Sequence, residues 1–544
     1  MNLSFRGLVN RPMHNITGAA FLVATFSIAS RLLGVVRDHI LAGRFGAGES
    51  LDIYFAAFRV PDFIFNLLVL GALSAGFIPV FSEMIKKAEN GPEDKEKLIR
   101  LASNVFNALM ILLLILSVVG IIFAEPLTRF VAPGLSPEAQ IQVAALTRIM
   151  FLSPLFLGMS GVLGGILQSY KRFFIYSLSP IFYNLGIIAG ALFLEPVLGL
   201  TGLAWGVVLG AFLHFAVQVP AVIQLGFNYR LVLDFADSGL RQIARMMGPR
   251  TLTLAISQVN LLAMTILAST LEPGSLTIFN FANNLQSFPL GVFGISFAVA
   301  AFPFLSENAY RIEELKNRFS STIRQILFFI IPTSVLLITL RAQLIRVIYG
   351  SGNFDWNDTI LTMNTLGFFA LSLFAQATIP LLVRVFYARR DSWTPFLLSM
   401  ASVALNIFLA YVLRDYFGVA GLALAFSIAS IFNFMCLWLW LYYKVGSLDL
   451  DKIFISVTKF AAAAIGAGAM VQLLKIAIWP FIDMTTYIGV IWQLVVAGFG
   501  GLGTYILLCY VLRSEELMAA IAAFRRKLPL KKAKLGDQSE ARGL

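Results

Sequence analysis

Apolar runs of about twenty residues recur from one end of the chain to the other, separated by short polar or basic connections. One such run, folded as an α-helix, spans a hydrocarbon core about 30 Å thick. The pattern therefore predicts an all-α polytopic membrane protein with about fourteen transmembrane helices. Their expected bounds are 16–43, 51–86, 99–124, 140–168, 172–194, 199–225, 242–270, 276–306, 320–342, 360–388, 394–413, 419–443, 453–478 and 487–512.

The composition agrees with this class. Of the 544 residues, 58% are hydrophobic and 13% are charged, and the mean hydropathy is +0.83. Soluble domains are about 45–50% apolar and about 25% charged. The net charge of +12 would also suit a nucleic-acid partner, but the positive residues lie between apolar runs and at the termini, as membrane topology requires. No nucleic-acid partner is therefore expected.

The basic residues are concentrated in alternate connections. Since positive residues accumulate on the cytoplasmic side of a membrane protein, the asymmetry predicts that both termini are cytoplasmic, and an even helix count agrees. The poorer connections hold Arg44, Arg129, Arg341, Arg346 and Arg414. The richer ones hold Lys86, Lys87, Lys95, Lys97, Arg100, Lys171, Arg172, Arg230, Arg241, Arg245, Arg311, Lys316, Arg318, Arg389, Arg390, Lys444 and Lys452.

Two short segments and one asparagine of the first half recur in the second half. FIPVFSE at 77–83 resembles AFPFLSE at 301–307, GLTGLA at 199–204 resembles GVAGLA at 418–423, and Asn184 has a counterpart in Asn406. The offset stays near 220 residues in all three cases. A repeat of six helices puts both copies in the membrane in the same sense, as in transporters whose substrate site lies between two lobes. The expected organisation is a six-helix lobe at 1–227, a second at 228–445, two extra helices at 446–512 and a basic cytoplasmic tail at 513–544.

Charged residues are concentrated in the first two spans. An ionisable side chain at the bilayer centre costs roughly 2.5–3.5 kcal/mol, so such residues rarely face lipid and instead pair or line a water-filled site. Arg31 and Asp38 are seven residues apart and so lie on one helical stripe. We expect them to form an anion-binding pair, in which Asp38 holds Arg31, with Arg37 nearby. The alternative is that Arg37, Asp38, His39 and Arg44 lie at the membrane interface, where long side chains reach water.

The second span repeats the seven-residue spacing with Asp52 and Arg59, just before Pro61, which is expected to bend the helix. Two roles remain open for this pair, a structural ion pair and contact with a ligand. The corresponding spans of the second half carry mainly amides, among them Asn283 and Asn284. One lobe then offers charge and the other offers amides, which suits a ligand with an anionic part and a sugar- or peptide-like part.

The sequence contains no motif for catalysis or metal binding. There is no P-loop, no Ser–His–Asp arrangement and no HExxH string. Cys436 and Cys509 both fall in apolar spans and the three histidines are scattered, so neither a metal site nor a cofactor is expected. The expected function is transport rather than catalysis, and Na⁺ and H⁺ both remain open as a coupling ion.

Four strings carry a family resemblance: SRLLGVVRD at 30–38, FGAG at 45–48, LDIYFAAFRVPDF at 51–63 and FPLGVFG at 288–294. The chain resembles the MurJ-type lipid II flippases, of the multidrug/oligosaccharidyl-lipid/polysaccharide exporter superfamily, over essentially its whole length. The resemblance implies fourteen helices, two six-helix lobes and two C-terminal helices that form a lipid groove. It also implies that Arg31, Arg37, Asp38, Asp52 and Arg59 match cavity residues of that family.

The function implied by the resemblance is movement of the undecaprenyl-linked cell-wall precursor between the leaflets of the bacterial cytoplasmic membrane. Its implied partners are this lipid, other membrane lipids and proteins of cell-wall synthesis. The chain departs from the family pattern in the second span, with Phe65, Asn66 and Leu70, and in the eighth, where Asn283 and Asn284 replace an Asp–Arg pair.

Three other functions stay open: a flippase for another polyprenyl-linked glycan, an H⁺- or Na⁺-coupled drug exporter, and a scaffold without transport activity. A cation exporter needs acids deep in its lobes, whereas the cavity predicted for this chain is basic. A scaffold would have no use for arginines in a cavity. A basic cavity lined by arginines therefore favours a flippase.

Overall fold

The computed structural model describes residues 16–70, 76–88 and 91–527 of the chain. These residues form helices joined by short turns, and no β-strand occurs among them. The helices of the first half are α1 (Ile16–Phe45), α2 (Glu49–Phe65), α3 (Ile78–Ala88), α4 (Pro92–Ile122), α5 (Ala124–Val131), α6 (Pro137–Met150), α7 (Leu152–Ser169), α8 (Phe173–Ala189), α9 (Glu195–Leu198), α10 (Leu200–Ala216) and α11 (Val219–Gln224).

The second half continues the same all-helical pattern. Its helices are α12 (Ser238–Ser269), α13 (Ser275–Pro289), α14 (Ser296–Glu307), α15 (Ile312–Thr339), α16 (Arg341–Ile348), α17 (Trp356–Ala370), α18 (Leu373–Ala388), α19 (Trp393–Phe417), α20 (Val419–Val445), α21 (Leu450–Ile478), α22 (Tyr487–Val511) and α23 (Glu515–Lys527). Wide π-helical turns continue α2 at Asn66–Leu70, join α8 to α9 at Gly190–Leu194 and join α13 to α14 at Leu290–Ile295.

Within the described residues, ten helical stretches are long and apolar enough to cross a membrane. An eleventh is added if α17 and α18, which are bent by 45°, form one span. The prediction of an all-α multi-pass membrane protein is thus confirmed, and the number fourteen stays a prediction. The predicted second and seventh spans are not among these stretches. In α12, which corresponds to the predicted seventh span, the apolar part is short and runs from Leu254 to Ser269. The predicted second span contains residues 71–75, which lie outside the described residues.

The lobe boundaries at 227 and 445 also stay predictions. Both chain termini and the basic tail beyond residue 527 lie outside the described residues. The first part of the predicted tail forms α23.

Helix α8 and the π-helical turn after it pack closely against α10 because glycines face each other there. A Cβ on Gly186 would lie 2.2 Å from the Cα of Gly210, and a Cβ on Gly190 would lie 2.4 Å from the Cα of Gly206. Small residues allow transmembrane helices to approach this closely. This packing holds α8 in place beside α1, where Asn184 of α8 contacts Arg37.

The two helices after the repeat attach to the second half. Phe460 of α21 is fully buried, and its ring meets that of Phe328 of α15 edge-on at 5.5 Å. Tyr505 of α22 donates a hydrogen bond to the main-chain oxygen of Phe328 at 2.7 Å. Helices α15, α21 and α22 therefore form one packed unit.

Candidate functional site between the two halves

A row of polar groups on α13 faces the charged residues of α1 and α2. Thr277, Asn280, Asn284 and Ser287 follow one another at intervals of three, four and three residues. This spacing places them on one face of a helix. In the structure these four residues contact, in order, Asp52, Arg59, Asp38 and Arg31. We call these four contacts the inter-half row.

Asp52 caps the first turn of α13. One carboxylate oxygen accepts hydrogen bonds from the main-chain N–H and the hydroxyl of Thr277, at 2.8 and 2.7 Å, and the other accepts from the N–H of Gly274 at 2.7 Å. The residue is 1% exposed. A helix N-terminus carries unpaired N–H donors and a partial positive charge, so a carboxylate there is stabilised. Here α2 supplies the cap that α13 itself lacks.

The turn before α13 requires glycine. Gly274 has a φ of +92° and a Cβ there would lie 1.9 Å from the main-chain oxygen of Ala47. Only glycine adopts this conformation without strain and leaves room for the opposing backbone. The contact brings the start of α13 against the turn between α1 and α2.

Arg59 lies one step along the row. Its Nη2 donates a hydrogen bond to the Oδ1 of Asn280 at 3.2 Å, and the residue is 9% exposed. Its Nε, also buried, has no hydrogen-bond partner among the described residues. Within those residues Asp52 and Arg59 form no ion pair with each other. Both side chains contact α13 and the turn before it instead, and contact of either residue with a ligand stays a prediction.

Asp38 connects α1 to α13 in the middle of the row. Its Oδ1 accepts hydrogen bonds from the Nε and Nη2 of Arg37, at 2.9 and 2.7 Å, and its Oδ2 accepts from the Nδ2 of Asn284 at 3.0 Å. Arg37 also donates to the Oδ1 of Asn184 at 3.2 Å. The expectation that Asp38 holds Arg31 is therefore wrong. Seven residues along a helix separate the two by about 10 Å, whereas the neighbouring guanidinium of Arg37 is within reach.

Arg31 is the exposed one among the charged members of the inter-half row. Its Nη1 donates a long hydrogen bond, 3.4 Å, to the main-chain oxygen of Ser287. The guanidinium lies against Gly291, where a Cβ would come within 2.4 Å of Nη2. Glycine at this position thus gives the cation room beside the π-helical turn. Arg31 combines a positive charge, an exposed side chain and a weak existing partner.

The remaining predicted site residue, Asn283, turns away from the row. Its Oδ1 accepts a hydrogen bond from Gln286 at 3.1 Å, and the Oε1 of Gln286 accepts one from Gln376 at 3.0 Å. This amide chain lies within the second half and joins α13 to α18. Asn284 contacts the first half, but Asn283 does not do so through any described hydrogen bond.

A second set of contacts joins the halves where α1 ends. The loop between α16 and α17 donates a hydrogen bond from the N–H of Asn353 to the oxygen of Gly43, at 2.8 Å. Asp358 accepts one from the N–H of Ala47 at 3.0 Å. His39 contacts the oxygen of Ile348 at 2.7 Å. The two halves are thus joined at the end of the helices opposite to the connections rich in lysine and arginine.

Arg44 lies outside the row. Its Nη2 forms an ion pair with Glu195 at 2.9 Å within the first half. This placement agrees with the interfacial alternative for Arg44.

Three residues that contact the first half were not predicted from the sequence: Thr277, Asn280 and Ser287. Their spacing with Asn284 is visible as a helical stripe of polar residues in an apolar span. In the sequence, Asn184 serves only as a marker of the repeat. Nothing local indicates that its amide contacts Arg37, because the two lie 147 positions apart.

The arrangement can bind an anion at one end and hold the halves together at the other. Arg37 and Asp38 neutralise each other, and Asp52 is fully occupied by α13, so these residues hold the interface closed. Arg31 retains the capacity to bind a phosphate. Among the described residues, no three of the Asp, Glu, His and Cys side chains gather as metal ligands.

Known proteins match the chain along most of its length. The sequence profile of the family described as Lipid II flippase MurJ matches residues 41–490. The probable lipid II flippase MurJ of Buchnera aphidicola subsp. Schizaphis graminum is 30% identical over 452 residues, 81% of this chain and 86% of the relative.

Two solved structures share the fold. Lipid II flippase MurJ in an inward closed conformation gives a TM-score of 0.75 at 24% identity, covering 90% of this chain and 98% of that one. An inward-facing multidrug resistance MATE family transporter of the MOP superfamily gives 0.66 at 16% identity, covering 79% and 98%. The all-α transporter fold expected from the resemblance is confirmed, while the helix count, the lobe boundaries and the lipid groove stay predictions.

Proposed function

We propose that this chain, which belongs to the lipid II flippase MurJ family, translocates lipid II, the undecaprenyl-pyrophosphate-linked precursor of peptidoglycan. The family is one of transporters, so the chain is not an enzyme. The proposed location is the bacterial cytoplasmic membrane, with both termini on the cytoplasmic side. The proposed role is in cell-wall biogenesis.

The observation that carries this proposal is the position of Arg31. It is the exposed cation at one end of a row whose other charged members are buried. An arginine stays protonated at all relevant pH values and offers a planar fork of donors that matches a phosphate group. We assign Arg31 the first contact with the pyrophosphate of the entering lipid.

Alternating access then requires the inter-half row to separate. Arg37 and Asp38 would remain partnered when this happens, because they are paired within one helix. Asp38 is held to α13 by a single hydrogen bond from Asn284, which water can replace after separation. The Asp52 cap, with three hydrogen bonds, is the strongest of the four contacts. Rocking of two lobes against each other is a known mode of transport.

The proposed orientation predicts the outcome of a topology experiment. Reporter fusions at residues near 92 and 238 are expected to read as cytoplasmic, and fusions near 135 and 273 as external, because the basic connections follow the even-numbered spans. The measurement uses paired reporters that are active on opposite sides of the membrane. Inversion at any two of these sites would contradict the two-lobe organisation and place the inter-half row on the cytoplasmic side.

The function itself is tested by following the precursor. Depletion of this protein in its host is expected to leave the lipid-linked precursor in the inner leaflet, because a pyrophosphate-linked headgroup does not cross hydrocarbon unaided at a useful rate. The measurement is the fraction of precursor accessible to an external enzyme that cleaves it. Collapse of the Na⁺ gradient or of the H⁺ gradient in the same assay identifies the coupling ion. If the fraction of precursor accessible to the external enzyme is unchanged in depleted cells, the proposal is wrong.

A second candidate substrate is another polyprenyl-linked glycan. The observation that favours it is the pair of amides Asn283 and Asn284 on α13, where the resemblance implies an Asp–Arg pair. Amides bind sugar hydroxyls as readily as peptide groups. Comparing the export of peptidoglycan precursor with that of other lipid-linked glycans in depleted cells separates the two substrates.

A further inference from the structure

A cavity of about 570 Å³ lies between the two C-terminal helices and the short helix α16. It is found at the end of the molecule where the loop after α16 contacts the end of α1, and it is separate from the inter-half row. Its lining residues include two cations, Arg346 and Lys475, and no carboxylate.

Main-chain oxygens hold both cations in place without neutralising them. Arg346 donates a hydrogen bond to the oxygen of Met484 at 2.9 Å and lies over the ring of Trp356 at 5.6 Å. Lys475 donates one to the oxygen of Thr339 at 3.1 Å. Among the described residues neither cation forms an ion pair. Two uncompensated positive charges in one cavity attract an anion.

A buried acceptor in the cavity wall also lacks a donor. Gln343 is 7% exposed and donates a hydrogen bond to the Oε1 of Gln493 at 2.8 Å. The Nε2 of Gln493 donates in turn to the oxygen of Lys475 at 3.2 Å. This chain fixes the orientation of Gln343, whose own Oε1 has no partner among the described residues. Buried polar groups are rarely left unpaired unless a ligand or water completes them.

Two exposed tryptophans in the cavity wall indicate that the cavity lies at the level of the membrane interface. Trp356 and Trp479 line it and are 58% and 63% exposed, and Ile476 and Pro480 complete an apolar wall. Tryptophan is concentrated where lipid headgroups meet the hydrocarbon core. The occupant therefore combines an anionic group, a hydrogen-bond donor and an apolar portion at headgroup depth.

We propose that this cavity binds the headgroup of an anionic glycerophospholipid that carries free hydroxyl groups, such as phosphatidylglycerol. Its phosphate would contact Arg346 and Lys475, and a headgroup hydroxyl would donate to the Oε1 of Gln343. With the orientation proposed above, the lipid belongs to the outer leaflet. The site is a binding site for bulk membrane lipid that bridges α16, α21 and α22, and it does not depend on which substrate the protein transports.

The test uses the purified full-length protein in mixed micelles with phosphatidylglycerol or with phosphatidylcholine, and native mass spectrometry to count retained lipids. The wild-type protein is expected to retain phosphatidylglycerol in preference to phosphatidylcholine. The double variant Arg346→Gln/Lys475→Gln is expected to bind phosphatidylglycerol at least about 10-fold more weakly, because neither glutamine can form a charge-assisted hydrogen bond to the phosphate. Glutamine keeps a donor for the carbonyl partners, and equal unfolding temperatures in phosphatidylcholine micelles establish that the variant is folded.

The matched control removes the same charge from the opposite end of the molecule. Lys97→Gln/Lys452→Gln replaces two exposed lysines that pair with nearby acids, and it is expected to retain phosphatidylglycerol like the wild type. The charge-conserving change Arg346→Lys is expected to keep most of the binding.

Three results would overturn the proposal. One is equal loss of binding in the Lys97→Gln/Lys452→Gln control, which would mean general attraction to charge. Another is that the wild-type protein retains phosphatidylcholine as strongly as it retains phosphatidylglycerol. The third is displacement of the lipid by inorganic phosphate at millimolar concentration, which would mean a site for free anions.

Discussion

Replacing Arg31 by alanine is expected to abolish precursor translocation while leaving the protein folded and inserted. Arg31 is exposed and its present partner is one main-chain oxygen at 3.4 Å, so its removal costs the resting structure little. Charge-assisted hydrogen bonds contribute about 1.5–3 kcal/mol each, so the substitution weakens pyrophosphate binding by roughly ten- to a hundred-fold. Arg31→Lys is expected to be partly active, because a point charge replaces the planar fork of donors. The measurement is complementation of a flippase-depleted bacterium.

The matched control for this experiment is Arg44→Ala. Arg44 lies on the same helix, but it pairs with Glu195 within the first half and takes no part in the inter-half row. It is expected to complement like the wild type. Membrane abundance is measured for each variant, so that loss of function is separated from loss of protein. Full complementation by Arg31→Ala at normal abundance would remove this residue from the substrate site.

A disulfide between positions 43 and 351 is expected to stop transport altogether. A Cβ on Gly43 would lie 3.8 Å from the Cβ of Ser351, which is the usual separation in a disulfide. The two positions join the end of α1 to the loop between α16 and α17, beside the hydrogen bond from Asn353 to Gly43. If the halves must separate at this end to release the lipid, the bond holds them closed.

The experiment uses the variant Gly43→Cys/Ser351→Cys in a background with Cys436→Ala and Cys509→Ala. Oxidation is expected to eliminate translocation in reconstituted vesicles, and a thiol reductant is expected to restore it. Each single cysteine variant, treated with the same oxidant, controls for damage elsewhere. Transport at the wild-type rate by fully cross-linked protein would show that this end of the interface need not open.

Local sequence pattern was enough to establish the class of the protein and the place of its unusual residues. Apolar runs long enough to span a bilayer and a low charge content are local properties, and they predict a multi-pass helical protein without knowledge of contacts. The concentration of Arg31, Arg37, Asp38, Asp52 and Arg59 in two spans is likewise visible, since charge within an apolar run is costly wherever the chain folds. The family strings around these residues place them in a known type of transporter.

The partner that each charge takes, in contrast, follows from the tertiary structure. Seven-residue spacing puts Arg31 and Asp38 on one stripe, but Asp38 pairs with Arg37 and with Asn284, a residue 246 positions away. Asp52 cannot be recognised from the sequence as a helix cap, because the glycine it binds at the start of α13 lies 222 positions later. The partner of each charged side chain depends on how α1, α2 and α13 cross. That crossing is set by close contacts such as Gly274 against Ala47, which have no counterpart in local sequence pattern.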